Sequence, residues 1–179
     1  GQAIAEALFG DYNPGGRLAV TFPKSVGQIP FAFPFKPGSD ESSETSVYGA
    51  LYPFGHGLSY TTFQYSDLAI SPSKQGVQGN ISISCTIKNI GQREGDEVVQ
   101  LYLRDEVSSV TTYTQVLRGF ERITLKPEAS HTVHFELTPQ ELGIWDKQMN
   151  FTVEPGMFKV MIGSSSKDIR LKGEFEIAQ

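Results

Sequence analysis

From Phe63 onward, apolar and polar side chains alternate along the sequence with a period of two residues. Successive side chains of a strand point to opposite faces of a sheet, so this alternation predicts strands with one buried face and one outward face. The apolar positions recur in Ile81–Ile87, Val99–Leu103, Val133–Leu137, Phe158–Ile162 and Ile169–Ile177. In the second of these stretches, Gln100 and Tyr102 occupy the outward positions.

Turn-forming residues separate the alternating stretches, at Gly76–Gly79, Asn89–Gly95, Lys126–Glu128 and Glu154–Gly156. About seven short strands without crossover helices predict an antiparallel β-sandwich. One interruption, Thr138–Leu142, is typical of a single capped helical turn. Thr138 suits the N-cap, Pro139 the first helical position and Glu141 the capping box. We expect this turn to cross one end of the sandwich.

The residues before Phe63 follow a different pattern. Gln2–Phe9 combines apolar residues with good helix formers, and Gly10 follows where a left-handed C-cap would lie. Leu18–Phe22 predicts a short strand, and the Pro- and Ser-rich stretch Pro30–Ser46 predicts an exposed loop. One helix and one strand cannot enclose a core, and no capping residue precedes Gln2. We therefore expect this part to pack against upstream sequence.

Charge and composition argue against several kinds of partner. The net charge of −5 is spread along the chain and its Lys and Arg residues do not cluster, so we do not expect nucleic acid as a partner. No apolar stretch approaches the roughly 18 residues that cross a bilayer, so we do not expect membrane insertion. The single cysteine, Cys85, excludes an intrachain disulfide, and its inward strand position predicts a core role.

Metal-binding and nucleophilic residues show no recognisable arrangement. His56, His131 and His134 lack the spacing of metal ligands, so we predict no metal site and no cofactor. The serines of Ser164–Ser166 lack the Gly-x-Ser-x-Gly pattern of a nucleophile elbow. A Ser-His-Asp hydrolase therefore has no basis in this sequence.

Paired carboxylates are the remaining catalytic possibility, because hydrolysis of a glycosidic bond uses one as acid and one as nucleophile or base. Glu41 and Glu44 are the only candidates for such a catalytic pair. Together with Asp40 they lie in a Ser-rich loop, with little apolar sequence nearby to raise a pKa. We interpret all three as solvated loop charges.

Exposed aromatic residues could instead bind sugars, since a pyranose ring offers an apolar face for stacking. Trp145, Tyr102 and Tyr113 are the candidates. Trp145 follows the predicted helical turn, so burial at the end of the sandwich is the favoured interpretation and a sugar platform is the alternative.

Two blocks of the sequence resemble family 3 glycoside hydrolases. Ala3–Leu18, followed by Val20–Pro23, resembles the end of the family's second domain, an α/β sandwich. Leu51–Phe63 resembles the passage from that domain into a fibronectin type III-like domain. The resemblance covers essentially the whole chain, because it continues through Asn89–Gly91, Gly95–Tyr102, Leu117–Phe120, Val153–Gly156 and Val160–Ser165.

This resemblance implies a mainly β chain, in which a fibronectin type III-like (immunoglobulin-like) antiparallel β-sandwich follows a small remnant of an α/β sandwich domain. We predict that residues 1–62 are the C-terminal tail of the α/β domain with its connecting loop. Residues 63–179 are predicted to form the complete fibronectin type III-like domain.

Glycines and aromatics of the quoted motifs have expected structural roles. Gly55 and Gly57 would let the backbone turn sharply or approach another segment closely, and the apolar residues of Tyr52–Phe63 would form a strip between the two domains. We expect Phe120 to be buried and Gly119 to mark a bulge or a tight contact.

The resemblance also implies a retaining double displacement, with an Asp nucleophile in an N-terminal (β/α)8 barrel and a general acid/base Glu earlier in the second domain. No motif here matches the sequence around either carboxylate, so we expect no catalytic residue in this chain. The implied partners are the upstream barrel and α/β domains and, through them, an oligosaccharide that loses a terminal sugar, with β-glucose as the expected sugar.

Three roles remain open for this segment. It stabilises or docks against the catalytic domains, or it is a carbohydrate-binding module, or it is a purely structural or dimerising domain that forms a homodimer. In the first case, we expect the loop Pro30–Val47 to reach toward the active-site entrance. A periplasmic or extracellular location is favoured over the cytoplasm.

Overall fold

The computed structural model describes residues 1–39 and 49–179, so Asp40, Glu41 and Glu44 lie outside the described residues. The helices are α1 (Gln2–Phe9) and α2 (Pro139–Leu142), with a 3₁₀ turn at Val26–Gln28. The strands are β1 (Phe63–Ser71), β2 (Lys74–Gly76), β3 (Ile81–Asn89), β4 (Gly95–Asp105), β5 (Val116–Leu125), β6 (Ser130–Leu137), β7 (Ile144–Trp145), β8 (Phe151–Thr152), β9 (Gly156–Gly163) and β10 (Ile169–Ala178).

The strands form two facing sheets and a small hairpin. One sheet has the order β1-β3-β6 and the other β2-β10-β9-β4-β5, while β7 and β8 pair with each other. All pairs are antiparallel except β2 with β10. The predicted β-sandwich is therefore confirmed, and the strands beyond the expected seven are the short β2, β7 and β8.

The inward faces of the two sheets form the core. In β3, Ile81, Ile83, Cys85 and Ile87 are fully buried, and the intervening side chains reach solvent at least in part. Phe158 of β9 and Phe175 of β10 stack in the same core, with ring centroids 5.4 Å apart. Each buried side chain of this size stabilises the fold by about 1.5–3 kcal/mol. The predicted core role of Cys85 is confirmed.

Strand β4 differs from the prediction because both of its faces are buried. Val99 and Leu101 face the core as expected, but Gln100 and Tyr102, predicted to point outward, are 2% and 0% exposed. The segment before Phe63 lies across this outer face and removes it from solvent. Alternation along the strand could not reveal this second cover, because it belongs to a distant part of the chain.

We call residues 1–39 and 49–62 the arm. Its helix α1 ends as predicted, with Gly10 in the left-handed region at φ +83°. The predicted strand Leu18–Phe22 is wrong, because its only strand-like pairing is an isolated bridge between Phe22 and Tyr52. Its backbone groups bond instead to the other half of the arm, where Leu18 N donates to His56 O and Gly55 N donates to Leu18 O, each at 2.8 Å.

The helical turn at the other end of the sandwich has the predicted cap. The Thr138 hydroxyl accepts a bond from Gln140 N at 3.3 Å, and Glu141 Oε2 accepts one from Thr138 N at 2.8 Å. This capping box satisfies backbone donors that a four-residue helix leaves free. Leu142 of the turn is buried against the core.

Candidate functional site

The arm is fixed to β4 by a buried polar and aromatic contact. The Gln100 amide donates to Ser164 O at 2.6 Å and to Gly55 O at 3.3 Å, and it accepts a bond from the Tyr102 hydroxyl at 2.5 Å. Gly55 has φ +81°, and a Cβ there would lie 2.1 Å from Gln100 Oε1. The predicted need for glycine at this turn is confirmed, since a side chain would collide with Gln100.

Aromatic rings of the arm complete the cover over Tyr102. Phe33 meets the Tyr102 ring edge to face at a centroid distance of 5.8 Å, and it stacks on Phe54 at 4.5 Å. Tyr102 is fully buried in this contact, so it is no longer a candidate for a sugar platform. Burial raises the pKa of its hydroxyl.

A buried ion pair joins the arm to the start of β4. Arg17 Nη2 donates to Glu97 Oε1 at 2.9 Å, and the two side chains are 8% and 5% exposed. Burial raises the pKa of Glu97, although the Arg17 guanidinium acts in the opposite direction. Burial, and secondarily the Glu97 carboxylate, raises the pKa of the Tyr65 hydroxyl.

Two asparagines close the end of the sandwich beside the arm. Asn89 accepts from Thr61 Oγ1 at 2.6 Å and donates to Arg93 O and Leu125 O at 2.7 and 2.9 Å. Asn13 accepts from Tyr60 N at 2.8 Å and donates to Glu94 O at 2.9 Å. These contacts hold both halves of the arm in one position on the sandwich.

Many large apolar side chains of the arm are exposed. Phe9 is 84% exposed, and large apolar side chains are also uncovered along α1 and the rest of the arm. Phe120, expected to be buried, is 67% exposed. It pairs with Gln100 across the sheet and so lies on the face that carries the arm. We call these exposed large apolar residues the docking face: Ile4, Leu8, Phe9, Tyr12, Val20, Phe22, Val26, Ile29, Leu51, Tyr52, Leu58, Tyr60 and Phe120.

Twelve of these thirteen residues belong to the arm, and such a concentration of exposed large apolar side chains on one segment is typical of an interaction surface. The predicted apolar strip from Tyr52 to Phe63 divides accordingly. Phe63 is buried in the sandwich, whereas Tyr52, Leu58 and Tyr60 belong to the docking face. Gly119 has its predicted role, because the register shifts beside it and an added Cβ would lie 2.9 Å from the Phe135 ring.

A second exposed aromatic site lies on the β7–β8 hairpin. Trp145, which we expected to be buried, is 59% exposed, and its ring meets that of Phe151 at a centroid distance of 5.5 Å. The prediction of burial is wrong because Trp145 lies in a separate two-stranded sheet that pairs with neither large sheet, whereas Leu142 of the preceding turn is the residue that enters the core. Tyr113, the third aromatic candidate, is 44% exposed and lines the same cavity as Trp145.

The other candidate residues do not converge. His131 and His134 are exposed on β6, and His56 stacks on Tyr52 with centroids 5.0 Å apart. Ser165 and Ser166 are buried in the turn that contacts the arm. Within residues 1–39 and 49–179, no three His, Cys, Asp or Glu side chains are grouped to hold a metal ion. In the same part of the chain, no helix is long and apolar enough to cross a membrane.

The fold defines a class: a fibronectin type III-like β-sandwich that carries an N-terminal arm on its outer face. Residues 97–166 match the fibronectin type III-like domain, and residues 1–60 match the glycosyl hydrolase family 3 C-terminal domain. The chain thus corresponds in sequence to the C-terminal part of glycosyl hydrolase family 3 enzymes.

Two curated relatives illustrate the match. The periplasmic beta-glucosidase of Salmonella typhimurium is 43% identical over 99% of this chain and 24% of its own length. The beta-xylosidase of Formosa agariphila is 43% identical over 96% of this chain and 24% of its own length. The chain thus spans about a quarter of the length of the relatives that it matches.

Solved structures show the same fold within larger chains. A β-glucosidase from Erythrobacter marinus matches with a TM-score of 0.91 at 38% identity, over 98% of this chain and 23% of that one. A β-glucosidase from Listeria innocua in complex with glucose matches with a TM-score of 0.90 at 31% identity, over 100% of this chain and 26% of that one. In both, the region that resembles this chain is part of a longer polypeptide.

Proposed function

We propose that this chain is the non-catalytic C-terminal portion of a retaining β-glucosidase-type enzyme that releases terminal sugars. In this proposal, residues 1–62 complete an upstream α/β sandwich domain and residues 63–179 form the fibronectin type III-like domain. The nucleophile and the acid/base carboxylate lie in upstream domains. The observation that carries the proposal is the docking face, an extended apolar surface on an arm that is itself held rigidly to the sandwich.

The contacts of the arm explain how the sandwich would stabilise the enzyme. The Arg17–Glu97 pair, the Gln100 contact and the Asn89 bonds fix the backbone of the arm on one side. The apolar side chains on its other side are then presented in a fixed arrangement. Because less conformational entropy is lost when such a preordered surface binds, docking of the upstream domains would be favoured.

Four acidic residues make structural contacts that support a non-catalytic role for this chain. Glu97 is paired with Arg17, and Asp168 contacts Arg170 and Ser164. Glu141 caps α2, and Asp146 closes the turn between β7 and β8. A glycosidase needs two carboxylates facing a sugar across about 5–9 Å, and these groups instead serve local structure.

The substrate class and location follow from the relatives. They include both β-glucosidases and β-xylosidases, and one is a periplasmic beta-glucosidase. We therefore propose a terminal β-linked glucose or a closely related pentose as the released sugar, and a periplasmic or extracellular location. The sugar itself is recognised by the upstream domains.

Two measurements test this proposal. The purified 179-residue chain should show no turnover of aryl β-glucosides or aryl β-xylosides, and measurable turnover that survives repurification would refute it. In the longer enzyme, Phe120→Asp combined with Phe9→Asp should lower both the melting temperature and the yield of active protein. Val107→Asp is the matched control, since Val107 is 77% exposed and lies outside the docking face.

The same variants distinguish docking from dimerisation. If the docking face binds a second copy of this chain, the isolated chain should sediment as a dimer that Phe120→Asp converts to a monomer. If the face binds upstream domains, Phe120→Asp should change the stability of the longer enzyme and leave its oligomeric state as it was. Wild-type stability in the Phe9→Asp/Phe120→Asp enzyme would contradict the proposed docking role.

A further inference from the structure

The β7–β8 hairpin lies at the end of the sandwich opposite the Asn89 contacts. Strand β3 begins at Ile81, which pairs with Leu137, and it ends at Asn89, which bonds to Thr61 of the arm. The nine residues of β3 separate these two ends by roughly 27 Å at about 3.4 Å per residue. Helix α2 and the hairpin follow Leu137 directly, so the exposed Trp145 stands far from those arm contacts.

The hairpin holds its aromatic side chains rigidly. Asp146 Oδ1 accepts bonds from Gln148 N and Asn150 N, each at 2.8 Å, and Asp146 N donates to Asn150 O at 3.0 Å. The Phe151 ring packs directly on the backbone at Gly143, where an added Cβ would lie 2.4 Å from Phe151 Cζ. The Trp145 ring meets the Phe151 ring edge to face, and its side chain remains 59% exposed.

Two cavities adjoin Trp145. One has a volume of about 710 Å³ and is lined by Phe151, Thr152 and the amide side chains of Gln78 and Gln140, among others. The other has a volume of about 250 Å³ and includes Tyr113 in its lining. The indole therefore borders two grooves: the first combines aromatic rings with uncharged amide and hydroxyl groups, and the second also includes the charged side chains of Asp105, Arg118 and Glu141.

We propose that Trp145 and these grooves form a non-catalytic binding site for a linear oligosaccharide. A pyranose ring has an apolar C–H face that packs on an exposed indole, and its hydroxyl groups bond to amide and hydroxyl side chains at the rim. A chain of several sugar rings is the matching ligand, because one ring on Trp145 places its neighbours in the adjoining grooves. The choice of β-linked glucans or xylans as the ligands rests on the proposed function. The assignment of a binding site at Trp145 does not depend on that function.

Binding at this site can be followed by the fluorescence of Trp145. Trp145 is the only tryptophan in the chain, so its emission reports directly on anything that covers the indole. Titration of the 179-residue chain with cello-oligosaccharides and xylo-oligosaccharides of four to six units should shift this emission saturably. Monosaccharides at the same concentrations should have a much smaller effect, since they fill only one of the adjoining positions.

Substitutions then locate the binding. Trp145→Ala should weaken binding at least about tenfold in affinity electrophoresis or calorimetry, as expected for loss of a central aromatic contact. Trp145→Phe should retain part of the affinity. Ile90→Ala removes a half-exposed apolar side chain at the opposite end of the sandwich and should leave binding unchanged. Circular dichroism checks that each variant is folded.

The outcomes separate this inference from the proposed function. No saturable binding of either oligosaccharide, or binding that Trp145→Ala leaves intact, overturns the sugar site. Neither result bears on the docking face, which is tested at Phe9 and Phe120. Conversely, hydrolysis of aryl glycosides by the isolated chain would refute the proposed function, and a Trp145-dependent oligosaccharide affinity would still establish this site.

Discussion

Arg17 of the arm and Glu97 of β4 form an ion pair whose two side chains are both almost completely buried, with Nη2 2.9 Å from Oε1. Removing two charges from water is costly, and their attraction offsets this cost only while both partners remain. Breaking the pair from one side therefore has a larger effect than replacing both residues. The pair links the position of the arm to the charge state of Glu97.

We expect Arg17→Met to lower the free energy of unfolding by about 3 kcal/mol at neutral pH, because it leaves a buried carboxylate without its cation. Burial already raises the pKa of Glu97 in the native chain. The folded protein thus binds this proton more tightly than the unfolded one, and the stability that Glu97 contributes is lost as pH rises from about 4.5 through its raised pKa. Arg17 opposes this shift, so its removal raises the pKa of Glu97 still further. The deficit of Arg17→Met, measured by urea unfolding, should therefore grow as pH rises above the pKa of Glu97 in the native chain.

Two further variants serve as controls for this prediction. Arg17→Met/Glu97→Gln should recover most of the lost stability and show no growing deficit, since no buried charge remains. Arg122→Met removes the partner of Asp96 from an exposed pair and should have a much smaller effect. A pH-independent deficit in Arg17→Met would show that packing of the arginine, and not the charge of Glu97, accounts for the loss.

Gly55→Ala should destabilise the contact between the arm and β4. The left-handed backbone at φ +81° costs a non-glycine residue about 1–2 kcal/mol, and the collision with Gln100 adds a similar amount. We expect a total loss of about 2–4 kcal/mol in the free energy of unfolding.

Gly16→Ala is the matched control for this glycine. No atom lies within 4 Å of the position of its added Cβ, so the substitution should change stability by less than about 0.5 kcal/mol. Faster proteolysis within residues 1–62 of the Gly55→Ala chain would show that the arm has become detached. Equal stability of the two variants would mean that the arm adjusts at no cost.

The strands could be predicted because their signal is local. The alternation in β3 and the capping box at Thr138 depend on neighbouring residues, and both correspond to the structure. The burial of Gln100 and Tyr102 depends on a segment some fifty residues away that covers β4 a second time. No pattern within the strand indicates that cover.

The errors at exposed aromatics have a related cause. Phe120 is an aromatic residue of the Leu117–Phe120 motif that we predicted to be buried, but it faces the side of the sheet that carries the arm and is 67% exposed. Trp145 follows a correctly predicted helical turn, yet it lies in a hairpin that is separate from both large sheets. The buried pair of Arg17 and Glu97 was not predicted, since two residues eighty positions apart give no sequence signal of their contact.

Asn89→Ala should be among the most destabilising polar substitutions in the sandwich. Asn89 is fully buried, and its amide bonds to Thr61, Gly91, Arg93 and Leu125. Truncation leaves several of these groups unsatisfied in the interior, which predicts a loss of about 3 kcal/mol by chemical denaturation.

Asn80→Ala provides the comparison for Asn89. The exposed side chain of Asn80 donates to Glu136 Oε1 at 2.7 Å, and the loss of this bond should cost less than about 1 kcal/mol. If Asn89→Ala were no more destabilising than Asn80→Ala, water would have to replace the missing amide without a penalty.

Cys85 provides a measure of opening of the core. Its side chain is fully buried between the two sheets, and burial raises the pKa of the thiol to about 11. Since the thiolate is the reactive form, the native chain should not react with a disulfide reagent at pH 8 on the timescale of minutes. Reaction should become complete in concentrated guanidinium chloride.

At intermediate denaturant, the rate of labelling should follow the unfolded fraction that circular dichroism reports, because the two sheets must separate before the reagent can reach the sulfur. Rapid stoichiometric labelling of the folded protein would contradict the core position of this residue. Cys85→Ala is the control: it should show no labelling under any of these conditions, which would exclude reaction at other groups.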